Sequence, residues 1–98
     1  MASTKDFLEF VLEQTKNLNL TFKPMMGEFL LYLNGTLIGG IYDNRLLVKL
    51  TNSNSKFSLP QTLPHPNAKP MYQITNLDDI ESLTEMIVQT YNDLTKKA

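Results

Sequence analysis

A chain of 98 residues, 42% hydrophobic and 19% charged, has room for a single domain with one core and reads as globular rather than disordered. Nine basic residues against ten acidic ones give a net charge of −1; without the basic stripe of a dedicated binder, no direct nucleic-acid binding is expected. The absence of cysteine excludes disulfides, thiolate nucleophiles and Cys-ligated zinc. No apolar run approaches the ~20 residues of a membrane span, and no charged leader precedes an apolar stretch, so a cytoplasmic protein without membrane contact is expected.

Residues 4–16 read as a helix. Ser3 or Thr4 can cap its N-terminus, Asp6 suits the first-turn dipole, and Phe7, Leu8, Val11, Leu12 and Thr15 share one face. Phe10 lies off that stripe, at a core edge or on a partner surface. Asn17–Asn19 ends the helix.

Residues 20–26 read as a first strand, with Leu20 and Phe22 alternating with Thr21 and Lys23. Pro24 cannot donate to a ladder, so this strand is an edge or carries a bulge. Gly27–Leu33 is a second strand, apolar on both faces: Phe29, Leu31 and Leu33 point one way, Leu30 and Tyr32 the other. In a two-layer domain the second face must meet something else, and a partner chain is one candidate. Asn34-Gly35 accepts positive φ at both positions and predicts a two-residue hairpin. The third strand is Thr36–Tyr42, and Gly39-Gly40 inside it marks a bulge, a bend or a close backbone approach. A phosphate cradle there is disfavoured, because no helix start follows the pair. Asp43-Asn44 is a second two-residue turn, and Arg45–Leu50 a fourth strand, with Leu46, Val48 and Leu50 set against Leu47.

Residues 51–70 are rich in Asn, Ser and Pro, and predict a helical turn near 53–58 followed by a Pro-shaped loop, which either packs or recognises a partner. Met71–Thr75 is a short fifth strand. Residues 78–95 form the second main helix: Asp78 with Glu81 suggests a capping box, and Ile80, Leu83, Ile87, Tyr91 and Leu94, widened by Met86, form its apolar stripe. Lys96-Lys97 suits the C-terminal end of the dipole.

Chemistry is sparse. His65 is the sole histidine and sits between two prolines; a loop-packing role outweighs a metal or catalytic one, and no metal site is expected. Asp78, Asp79 and Glu81 cluster where a helix start already accounts for them. No nucleophile elbow, Walker or dinucleotide-binding fingerprint occurs. The expectation is a non-catalytic protein without a cofactor. Met25-Met26, Tyr32, Tyr42 and His65 are the candidate interface or pocket residues. They serve either a homodimer or other protein contact through the second face of the meander, or a small-ligand or enzyme pocket between the sheet and residues 51–70.

Lys23-Pro24-Met25-Met26-Gly27, Phe29 through Gly35, Ile38-Gly39-Gly40-Ile41-Tyr42-Asp43-Asn44 and Leu46-Leu47-Val48-Lys49 together resemble the TfoX N-terminal domain family. Ala68-Lys69-Pro70-Met71-Tyr72 and Leu77-Asp78-Asp79 resemble its short stand-alone members, so the likeness covers nearly the whole chain. Met26 stands where the family usually has Phe, and Glu28 where a second Gly is common. The resemblance implies an α+β, two-layer α/β sandwich of the secretion-chaperone-like kind: N-terminal helix, four-stranded antiparallel meander, fifth strand and C-terminal helix, often dimeric. It also implies a regulatory role related to transcription and competence. The better-known regulators match this chain only in their N-terminal half, and the family offers no catalytic residues to carry over.

Overall fold

The computed structural model describes residues 3–96. Its elements in chain order are α1 (Lys5–Gln14), β1 (Leu20–Met25), β2 (Glu28–Leu33), β3 (Thr36–Tyr42), β4 (Arg45–Val48), a 3₁₀ turn (Asn54–Phe57), β5 (Gln61–Thr62), β6 (Met71–Ile74) and α2 (Ile80–Thr95). The strands form one antiparallel sheet in the order β1-β2-β3-β4-β6-β5. The fold is α+β as expected, with one strand more than the sequence suggests. Gln61–Thr62 pairs with β6 at the sheet edge, inside the segment predicted to be a loop.

Three two-residue hairpins build the meander. Met25 pairs with Glu28, Leu33 with Thr36, and Tyr42 with Arg45. The turn residues Met26 and Gly27 (φ 50° and 85°), Asn34 and Gly35 (51° and 85°) and Asp43 and Asn44 (53° and 55°) all take positive φ, which matches the twist of the flanking strands. The sequence pattern places the residues of the first turn, Met26 and Gly27, in the strands on either side. Methionine pays a steric penalty in that conformation. Contacts from outside the hairpin hold it: Ser3 N donates to Gly27 O at 3.0 Å, and to Glu28 Oε1 at 3.0 Å.

Gly39-Gly40 combines a bulge with a close approach. Leu31 faces Gly39 while Tyr32 faces Leu37, so Ile38 is an extra residue on β3. A Cβ on Gly39 would stand 2.1 Å from Leu47 O, and one on Gly40 2.8 Å from the Tyr42 ring. The glycines therefore serve packing of backbone and ring, and leave no open loop for a phosphate.

Both helices lie on one face. Leu8 and Val11 of α1 and Leu83 and Ile87 of α2 join Leu31, Leu33, Ile38, Ile41, Leu46, Val48, Tyr72 and Ile74 in a single core cluster. Each such aliphatic side chain contributes ~1.5–3 kcal/mol on burial. Thr4 caps α1, accepting from Phe7 N at 3.1 Å. Asp79, rather than Asp78, caps α2 by accepting from Ser82 N at 3.2 Å, so the expected Asp78–Glu81 box does not form. Ile80, expected in the apolar stripe, is 43% exposed because it begins the helix one turn ahead of Leu83, the first residue to reach the core. Phe10 is 39% exposed and Phe22, on the edge strand β1, 44%; Phe22 meets Phe29 edge-on at 5.8 Å between ring centres. Lys97 lies outside the described residues. No helix among those described is long and apolar enough to cross a membrane.

The segment after β4 docks on α2 through buried polar groups. Asn54 Nδ2 donates to Lys49 O at 2.8 Å and to Thr90 Oγ1 at 2.9 Å, while Asn54 Oδ1 accepts from Thr51 N at 2.9 Å. Asp93 Oδ2 accepts from Thr51 Oγ1 at 2.5 Å and from Ser53 N at 2.9 Å. These bonds lower the Asp93 pKa from its ordinary 3.8, the Thr51 hydroxyl contributing most.

Candidate functional site

With both helices on one face, alternation assigns Tyr32, Leu30, Leu37, Tyr42, Leu47, Lys49 and Met71 to the other. Leu47 is fully buried there without belonging to the helix-side core. It pairs with Gly40, over which the Tyr42 ring is packed. Leu30, Tyr32 and Leu37 are half-buried. No helix among the described residues covers these strands, so the two-sided apolarity of β2 leaves apolar side chains on a partly open surface.

Among the described residues, two concavities border this face. The larger, about 520 Å³, is lined by Leu37, Gly39, Tyr42, Lys49, Leu50, Lys69, Pro70 and Met71. Its lining comes from β3, the end of β4 and the approach to β6. Burial raises the Tyr42 pKa above its ordinary 10.0, with smaller contributions from the charge of Glu28 and from Tyr32. The smaller, about 420 Å³, is lined by Glu28, Asp43, Arg45, Leu63, Pro64, His65 and Pro66. Arg45 pins its far wall by donating to Thr62 Oγ1 at 2.7 Å and Leu63 O at 3.3 Å.

Of the five residues singled out by sequence, Tyr42 lines the larger cavity and His65 the smaller. Met25, Met26 and Tyr32 line neither; Met26 is 98% exposed at its turn. Sequence reasoning missed Lys49, Lys69 and Leu37, which lie apart along the chain and come to line one cavity only through the order and register of the sheet.

It also missed the role of Glu28. Its carboxylate accepts from Ser3 Oγ at 2.5 Å and from Asp43 N at 3.1 Å. Asn44 N in turn donates to Ser3 Oγ at 3.0 Å, and Thr4 N to Asn44 Oδ1 at 2.9 Å. Glu28 thus ties the start of α1 to two hairpin turns. An acid immediately after a two-residue turn was the available signal.

Among the described residues no cluster of three His, Asp or Glu side chains could hold a metal ion. No protein-family model matches the chain, and no curated protein matches it significantly.

Proposed function

We infer that this protein is a small, non-catalytic interaction module that pairs with a second copy of itself through the sheet face opposite its helices. The observation that carries this reading is the position of both helices on one face, with Leu30, Tyr32 and Leu37 half-buried on the other. Charge favours one arrangement of the pair. Glu28 and Asp43 sit at one end of the face, beside Arg45, while Lys49 and Lys69 sit at the opposite end without a neighbouring acid in the cavity they line. A two-fold axis across the strands turns the acidic end of one copy toward the basic end of the other, and an axis along the strands would set like ends together. The resemblance to the TfoX N-terminal domain supports dimerisation and suggests a regulatory, transcription-related role in the cytoplasm for the same surface.

The test is a mixed sample of isotope-labelled and unlabelled chains examined for intermolecular nuclear Overhauser contacts. Contacts from the Leu30 methyls and the Tyr32 ring to the second copy support the reading. Intermolecular contacts confined to α1 or α2 overturn it.

A further inference from the structure

The cavity of about 520 Å³ lies within the ~300–1,000 Å³ range of small-molecule sites. Its wall and floor are apolar (Leu37, Leu50, Pro70 and Met71), with the Tyr42 ring beside them. Two lysines supply its charge, and no acidic residue lines it. Among the described residues the one ion pair joins Lys16 to Glu13, so Lys49 and Lys69 form no ion pair with another described residue. Lys49 is held in place by its own backbone: its N–H donates to Ile38 O at 3.0 Å and its carbonyl accepts from Asn54. Its half-buried side chain therefore starts from a fixed point at the cavity wall. Apolar walls reward an apolar body, and two lysines in the lining, with no acid beside them, reward an anionic head.

The geometry points to a binding site for a small amphiphilic anion, a medium-length apolar body ending in a carboxylate-like group, held between Leu37, Tyr42 and Met71 with its head at Lys49 and Lys69. This inference does not rest on pairing of two copies, because every lining residue comes from one chain; Leu37, Lys49 and Lys69 also belong to the proposed pairing face, so ligand and second copy compete there.

The experiment titrates the full chain with decanoate, below its micelle concentration, and follows backbone amide shifts. Decanol and decyltrimethylammonium are titrated in parallel. The expected result is saturable shifts at Gly39, Leu50, Lys69 and Met71, with decanoate bound about tenfold more tightly than either comparison compound. The double substitution Lys49→Gln and Lys69→Gln removes that preference while the uncharged body still binds. Leu37→Trp, which fills the cavity, abolishes binding by all three. Leu30→Lys disturbs the proposed pairing face and leaves decanoate binding intact, which separates this site from the dimer. The inference is overturned if shifts are absent or spread over the surface, or if the cationic amphiphile binds equally well. It is also overturned if decanoate fails while an acidic, apolar-tailed peptide saturates the site.

Discussion

Replacing Asn54 by alanine tests the way the segment after β4 is fastened to α2. Asn54 is 1% exposed, and its amide makes three bonds within 3.0 Å: to Lys49 O, to Thr90 Oγ1 and from Thr51 N. Thr90 keeps its bond to Met86 O at 2.8 Å, so it loses least. Lys49 O and Thr51 N lose the side-chain partner that satisfies them. At ~0.5–1.5 kcal/mol for each net bond lost, with more where a buried group is left unmatched, Asn54→Ala should cost about 2–4 kcal/mol. For a domain of this size total stability is only ~5–15 kcal/mol. The variant should therefore lose a large share of its folding free energy, and its melting temperature should fall by roughly 10–20 °C. Urea denaturation followed by circular dichroism measures this directly. The midpoint should move while the slope stays constant, since the exposed area on unfolding is unchanged. A loss below about 1 kcal/mol would refute the argument, because the three bonds would then carry no net stability.

Gly39→Ala should be among the most damaging single-methyl changes, with a loss above ~3 kcal/mol or failure to fold, since its Cβ meets backbone 2.1 Å away. Gly35→Ala, whose Cβ meets nothing within 4 Å but whose φ is +85°, should cost only ~1–2 kcal/mol; denaturant melts of the two variants rank them. Glu28→Ala should destabilise by about 1–2 kcal/mol and speed amide exchange at Ser3 and Asp43, which donate to Glu28. Asp93 contributes stability through its lowered pKa. That contribution is present above the ordinary 3.8 and disappears as pH falls through the lower folded value. The stability gap between the natural chain and Asp93→Asn should accordingly be constant near neutrality and close below pH 3.8, as thermal melts across an acid series would record.

Most of the meander is legible in the sequence because its determinants are local. Asn34-Gly35 and Asp43-Asn44 are residue pairs that tolerate positive φ, and alternation sorts Leu31 and Leu33 from Leu30 and Tyr32. What escapes sequence reading depends on distant partners. Met26 takes a positive φ that its own chemistry disfavours, in a turn fastened by Ser3 on the far side of α1. Gln61–Thr62 is a strand only because β6 and Arg45 lie beside it. Asn54 and Thr90 are polar residues that no local pattern marks as buried, yet they are buried and bonded to each other across 36 positions. The candidate site follows the same division. Tyr42 is visible as an aromatic of the meander, while the placing of Lys49 and Lys69 in the lining of one cavity depends on the sheet order that sets β6 beside β4.

Molar mass in solution, by light scattering after size exclusion across a concentration series up to high micromolar, decides whether two copies pair. Twice the mass of one chain is expected for the natural protein, with Leu30→Lys shifting the sample to single chains while the fold is retained. A natural protein that stays a single chain throughout the series would contradict pairing through the face opposite the helices.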